Sequence, residues 1–249
     1  LRNPFVATLK DISEELGLSV ATVSRALNGF PEVNAKTRTK VRTTAEKLGY
    51  RPNRVAQRLV TGRSGMVGMI VKIKPDLRAD QTFFEMLTGL TAALAARDTD
   101  LVLAVDQGDD LIAPYRRMLE RDILDGFILN APIVNDPRIP FLQSENIPFV
   151  MHGQADATPN YPFYGIDNEK VSLDAVELLQ LLGHKRIALI NGKMRHAYAV
   201  DRLAGYRSGM QNAGLSSNTD FIANDTETED DAYRRALSML ADPMAPSAF

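Results

Sequence analysis

The sequence predicts an α/β protein built in two parts, a small all-helical module followed by a larger, doubly wound domain with a parallel sheet. Three observations lead there. Apolar residues recur at helical spacing through the first 50 residues, short apolar runs alternate with amphipathic stretches from residue 66 onward, and the charge divides at the same place. Residues 1–65 hold 12 Lys and Arg against 5 Asp and Glu, whereas residues 66–249 hold 17 against 26. A net charge of −2 therefore conceals a basic module that would attract a polyanion and an acidic remainder that would not.

Each element has a local reason. Thr8 is placed to cap a helix with Asp11 three residues on, and Leu9, Ile12 and Leu16 form a stripe that stops at Gly17. Ser19 opens a second helix in which Val23 and Leu27 face inward, leaving Val20, Ala21, Ser24, Arg25 and Asn28 outside. A third helix, from about Asn34 to Leu48, buries Val41, Ala45 and Leu48 and is closed by Gly49, with Pro52 just beyond. The small and polar run Thr61 to Gly65 reads as a linker. Buried strands are predicted at Met66–Val71, Leu101–Val105, Gly126–Leu129, Pro148–Met151, Phe163–Ile166 and Arg186–Ile190. Helices are predicted between them at Phe84–Arg97, Leu111–Arg121, Asn168–Leu182 and Val200–Asn212.

The composition, with 45% hydrophobic and 24% charged residues, is that of an ordinary globular protein, and cysteine is absent. A disulfide framework, a thiolate metal site and a cysteine nucleophile are thereby excluded. No apolar run is long enough to span a bilayer, and charges interrupt the first 20 residues, so a cytoplasmic protein without a membrane partner is expected. Enzyme signatures are missing too: no Walker-type phosphate loop, no Gly-x-Ser-x-Gly elbow, no His-Glu-x-x-His, and only three scattered histidines. The phrase Gly65-Met66-Val67-Gly68 lacks the third glycine of a dinucleotide fingerprint, and Gly68 reads as a small residue inside the first strand. No metal, cofactor or catalytic residue is expected.

Two short helices joined by Gly17, Leu18 and Ser19 make a helix-turn-helix, whose second helix has the width to enter a DNA major groove. Arg25 can donate a bidentate pair to guanine, and Val20 and Ala21 can pack on thymine methyls. Ser19, Thr22, Ser24 and Asn28 are short enough to reach phosphates.

The ordered series Val-Ser-Arg-Ala-Leu-Asn-Gly at 23–29, Lys-Thr-Arg at 36–38, Leu-Gly-Tyr-Arg-Pro-Asn at 48–53 and Ala-Gln-Arg-Leu at 56–59 resembles the lactose-repressor (LacI/GalR) family of bacterial transcription regulators. The resemblance implies double-stranded operator DNA and a second copy of the chain as partners. It places Val20, Ala21 and Arg25 among base-reading positions, and Thr8, Thr22, Ser24, Asn28, Thr37, Tyr50 and Asn53 among backbone-holding ones. It makes residues 53–60 a hinge helix that forms on DNA and enters the minor groove with its dimer mate, Leu59 being the wedge candidate; ordinary hinge-to-hinge packing of Leu59 with Val55 and Ala56 is the alternative. So short a helix is marginal alone in water, which fits folding on DNA. Lys36, Arg38 and Arg54 are expected to add general backbone affinity.

The resemblance continues through Gly165-Ile166-Asp167-Asn168-Glu169, Leu-Gly-His-Lys-Arg-Ile-Ala-Leu-Ile at 182–190 and Arg-Leu-Ala-Gly-Tyr-Arg at 202–207. It implies a domain shaped like periplasmic sugar-binding proteins, in which an effector sits between two subdomains. The expected organisation is a headpiece at 1–52, a hinge helix and linker at 53–65, and an effector-binding and dimerisation domain at 66–249. That domain divides into an N-subdomain at 66–162 and a partial C-subdomain at 163–249. Family members normally continue further, so the chain is expected to be a piece of a longer protein. Arg202 matches the effector-clamping arginine, and its planar fork suits vicinal hydroxyls or a carboxylate. Asn130 and His152 stand just past predicted strands, where open α/β sheets place ligand groups. Tyr164, Phe83 and Phe84 could supply an apolar face for a sugar ring, although at least one of the two phenylalanines is expected in the core. His184 is expected to be structural, in a helix-to-strand turn. A sugar effector is the favoured expectation. A nucleobase or sugar-phosphate effector and a small-molecule binding protein without DNA regulation are the alternatives.

Overall fold

The computed structural model describes residues 7–50, 62–72, 81–156 and 158–249. The chain divides into two compact units, Leu1–Ser64 and Gly65–Phe249. The hinge-helix residues 53–60, including Asn53, Arg54, Ala56 and Leu59, lie outside the described residues.

The first unit contains helices α1 (Leu9–Leu16), α2 (Val20–Leu27) and α3 (Ala35–Lys47). Thr8 caps α1 reciprocally: its hydroxyl accepts from the Asp11 amide at 3.4 Å, and the Asp11 carboxylate accepts from the Thr8 amide at 2.6 Å. Gly17, at φ 63°, takes the left-handed conformation that ends α1. Ser19 and Asn34 cap α2 and α3 by accepting from the amides of Thr22 and Thr37. Ile12, Val23, Ala26 and Val41 are fully buried at the centre. Ala26 has no counterpart in the sequence reading, and Leu48 and Leu27 pack on the margin of this core instead of inside it.

In the second unit, a five-stranded parallel sheet comprises β1 (Met66–Lys72), β2 (Asp100–Asp106), β3 (Gly126–Leu129), β4 (Phe149–His152) and β5 (Phe163–Tyr164), in the order β2-β1-β3-β4-β5. Helices α4 (Gln81–Ala95), α5 (Ala113–Glu120) and α6 (Arg138–Ser144) connect the first four strands. A second sheet pairs β6 (Leu189–Ile190) with β7 (Ile222–Ala223), and helices α7 (Asn168–Leu181), α8 (Ala197–Asn212) and α9 (Glu229–Leu240) belong with it. Among the described residues, no helix is long and apolar enough to cross a membrane.

Several expectations need correction. The outer strands are not buried: Leu103 and Val105 on β2 and Phe163 and Tyr164 on β5 are exposed, because each strand lies at an edge of the sheet. The run Arg186–Ile190 narrows to Leu189–Ile190, with Ile187 forming a single bridge to Ala248. Helix α6 was missed because Pro140 inside a short segment masks its periodicity. Gly68, in contrast, behaves as expected. A Cβ there would come within 2.6 Å of the Leu124 side chain and 2.9 Å of the Phe127 ring, so a larger residue would make that layer shift.

Asp106 closes β2 and accepts from Lys72 at 2.6 Å and Arg117 at 3.3 Å. The Lys72 hydrogen bond, reinforced by both cations, holds its carboxyl below the usual carboxylate range. A depressed native pKa contributes stability that is present above the unfolded value of about 3.9 and is lost as pH falls through the native one. The urea midpoint should therefore drop more steeply below about pH 4 in the wild type than in Asp106→Asn. Parallel curves for the two proteins would show that this carboxylate contributes nothing to acid lability.

Candidate functional sites

The outer side of α2 is the first site. Capping by Ser19 fixes where the helix starts, which puts Val20 and Ala21 on its first turn and Arg25 on its second. Val20 is 43% exposed, and Ala21, Arg25 and Asn28 are exposed as well. An apolar side chain left in water at a helix start, with a cation one turn beyond, is a surface suited to base edges and methyl groups. The short polar residues around it are already ordered. The hydroxyls of Ser19 and Thr22 stand 2.8 Å apart, Asn28 donates to the Ser24 carbonyl at 2.9 Å, and Thr8 is held by Asp11. Thr37 lies in the first turn of α3, and Tyr50 packs against the headpiece core, where burial raises its phenol pKa. Arg38 also has an internal role: its guanidinium donates to the carbonyls of Phe30 and Val33 at 3.0 and 3.2 Å and so braces the α2–α3 loop. Lys36 remains exposed on α3.

The second site lies at the carboxyl ends of the central strands. The strand order reverses between β1 and β3, and ligands of open α/β sheets bind at such a switch point, outside the strand ends. Leu129 pairs with Met151, so Asn130, the next residue, is level with His152, and His152 in turn pairs with Tyr164. Asn130, His152 and Tyr164 thus form one row at the ends of three neighbouring parallel strands. His152 closes β4 itself instead of following it, and both His152 and Tyr164 are exposed. Gly153 and Gly165 follow the last two members of the row: Gly153, at φ 100°, takes a backbone conformation that favours glycine, and a Cβ on Gly165 would stand a tight 3.1 Å from the Gly153 Cα.

Arg202 comes from α8. Its Nε donates to the Asn168 side chain at 2.9 Å, and its guanidinium lies 5.1 Å from the centre of the Tyr198 ring, a cation–π arrangement. The His196 ring stacks on the other partner of that pair, Tyr198, at 5.5 Å and 15°. Asn168, His196 and Tyr198 were not identified from the sequence; the signal was an aromatic residue one helical turn before Arg202. The loop after β3 reaches the start of α8 directly. The Ala197 amide donates to the Pro132 carbonyl at 3.2 Å, and the Val134 amide donates to the Arg195 carbonyl at 3.0 Å. The structure therefore joins the segment that carries Asn130 to the helix that carries Arg202.

Phe83 and Phe84 are not part of the row. They open α4 and meet edge to face at 5.7 Å, and neither is buried, so the expectation of a core phenylalanine there fails. His184 sits in the turn between α7 and β6 and bonds to the Ser247 hydroxyl through Nδ1 at 3.0 Å. That is a structural setting.

Comparison with known proteins gives a family match for each of the two units. Residues 8–53 match the model of bacterial regulatory proteins of the lacI family, and residues 64–248 match that of periplasmic binding proteins and the sugar-binding domain of the LacI family. The transcriptional regulator AglR of Rhizobium meliloti is 39% identical over 96% of this chain and 68% of its own length. RafR of Escherichia coli is 32% identical over 97% and 71%. Among solved structures, a lac repressor dimer bound to operator and an anti-inducer aligns with TM-score 0.78 at 25% identity over 97% of this chain and 72% of that one. A CelR–cellobiose complex aligns with TM-score 0.61 at 27% identity over 93% and 71%. These relatives are transcriptional regulators and not enzymes. With a helix-turn-helix headpiece, a doubly wound ligand domain and matches along nearly all of its length, the chain belongs to the LacI family of bacterial transcription regulators.

Proposed function

We propose that the protein is a homodimeric repressor whose headpieces bind a pseudo-palindromic operator and whose second unit takes a neutral sugar as effector. The observation that carries the DNA reading is the exposed apolar and cationic surface of α2, Val20, Ala21 and Arg25, in a unit of positive charge. The sugar reading is supported by the polar row Asn130, His152 and Tyr164, by a guanidinium resting on an aromatic ring, and by the likeness to a regulator solved with cellobiose. Hydroxyl-rich rings need planar donors together with an aromatic face, and this set supplies both. Effector binding shifts the population between states of different operator affinity, and the shift equals the effector's differential affinity, about 1–3 kcal/mol in typical cases.

Arg25→Ala should weaken operator binding by about 1–3 kcal/mol and leave binding to random DNA nearly unchanged. Lys36→Ala should instead weaken both and reduce the salt slope by about one unit. Titrations at several salt concentrations decide this, and equal losses on both DNAs for Arg25→Ala would remove it from base reading. Calorimetry against neutral sugars, sugar phosphates and nucleosides tests the effector class. Binding confined to sugar phosphates or nucleosides would overturn the neutral-sugar reading and leave the repressor reading standing.

A further inference from the structure

We infer that Arg138 is a positioning residue of the effector site: it folds the loop after β3 into the shape that presents Asn130 and docks on the helix bearing Arg202. The inference rests on the effector reading above. Arg138 opens α6, and its side chain is buried together with that of Asp136, which has no exposed surface. A guanidinium has five N–H donors, and here every one has an acceptor. Nε and Nη2 form a fork onto the two Asp136 oxygens at 2.9 and 2.5 Å. Nη1 donates to the Asn130 carbonyl at 3.1 Å and to the Tyr115 hydroxyl at 3.5 Å, and Nη2 also reaches the Ala131 carbonyl at 3.4 Å.

Asp136 completes the loop from its other side by accepting the amides of Ile133 and Arg138 at 3.1 and 3.0 Å. Burial alone would raise this carboxyl, but the bonds from Arg138 outweigh it and keep the pKa below the usual range. The pair is therefore ionised, and the arginine is held in place as an internal cation.

What the pair holds is the functional part of the loop. Ala131 sits at φ 47°, a left-handed conformation that costs a non-glycine residue and persists only where its surroundings over-determine it. The carbonyls of Asn130 and Ala131, on either side of that residue's amide and Cα, are the two that Arg138 captures. One residue further, Pro132 accepts from the first amide of α8, Ile133 bridges to His196, and Val134 donates to Arg195. A single side chain thus fixes both where Asn130 leaves the sheet and where the loop meets the cap of the helix carrying Tyr198 and Arg202.

Arg138→Lys separates this role from simple support of the core. Lysine keeps the charge opposite Asp136, but its donors radiate from one nitrogen and cannot also span the Asn130 and Ala131 carbonyls. The exchange of the Val134 and Ala197 amides should quicken about tenfold or more in this variant, the loss of one charge-assisted hydrogen bond, while the urea midpoint changes little. The same variant, measured well below its unfolding midpoint, should bind about tenfold more weakly whichever member of a neutral mono- and disaccharide panel, cellobiose included, the wild type binds. A second variant, Asp136→Leu with Arg138→Met, removes both charges, and apolar replacement of a buried pair is often tolerated by the fold. It should remain folded and show the same weakened sugar binding. Wild-type exchange at Val134 and Ala197 in Arg138→Lys would overturn the positioning role, and so would wild-type sugar affinity in either variant. If the wild type bound no member of the panel, the neutral-sugar reading would fall, and the exchange rates at Val134 and Ala197 would still decide whether Arg138 sets the loop.

Discussion

Gly205→Ala should destabilise the second unit by about 3 kcal/mol or more, the upper end of what overpacking costs. Gly205 lies on α8 where that helix crosses the start of α7. A Cβ there would collide with the Glu169 carbonyl oxygen and lie 2.8 Å from its carbonyl carbon. Backbone cannot rotate away as a side chain can, so the helices would have to separate. Gly209, one turn on, meets Val176 Cβ at 2.8 Å in the same way, and the two glycines together let the helix backbones approach closely. Gly89 on α4 is the control, since among the described residues nothing lies within 4 Å of its missing Cβ and it is in a helix interior. Gly89→Ala should be neutral or gain up to about 1 kcal/mol. Urea midpoints for the two variants give the comparison, and a Gly205→Ala protein as stable as wild type would mean the helices are free to separate at no cost. Arg202 is three residues before Gly205 on the same face, and its partner Asn168 precedes Glu169, so the crossing that needs glycine also brings that hydrogen bond together.

Arg202→Ala should lower effector affinity about a hundredfold or more and abolish the response of operator binding to effector, with operator affinity itself almost unchanged. The expectation follows from how the guanidinium is held. Asn168 takes Nε and Tyr198 lies beneath the plane, which orders the side chain in advance and leaves the Nη pair to bind a ligand. Two charge-assisted hydrogen bonds at about 1.5–3 kcal/mol each account for the size of the loss. Arg202→Lys should recover little, because an ammonium lacks the planar fork. Calorimetry and an operator titration with and without effector measure both quantities, and wild-type sugar affinity in Arg202→Ala would exclude this residue from the site.

Much of this could be read in the sequence because the signals were local. Thr8 with Asp11, Ser19, Asn34 and the glycines at 17 and 49 determine the ends of α1, α2 and α3 through bonds spanning three or four residues. The sequence places Asn130 and His152 at strand exits and offers Tyr164 only as an apolar face, because register between parallel strands depends on pairing across the sheet. Arg138 was invisible for a related reason. Its motif, Asp136-Pro137-Arg138, looks like an exposed polar turn, and only the fold reveals that Tyr115, more than 20 residues away in sequence, closes over it. Arg38 has a bracing role that the sequence does not show, since its carbonyl partners across the α2–α3 loop appear only in the fold. An apolar run carries no information about which strand ends a sheet, so β2 and β5 read as buried strands although they lie at its edges.

Under the proposed effector reading, the row at the ends of β3, β4 and β5 also constrains how recognition could be redesigned. Adjacent strands lie about 4.8 Å apart, so His152 is within coupling distance of both neighbours, whereas Asn130 and Tyr164 are separated by about 10 Å. Changes at Asn130 and Tyr164 should then combine additively in their effect on ligand choice, and any change at His152 should alter what either neighbour contributes. Selection for a new ligand would accordingly have to settle His152 first and could tune the two flanking positions afterwards, in either order.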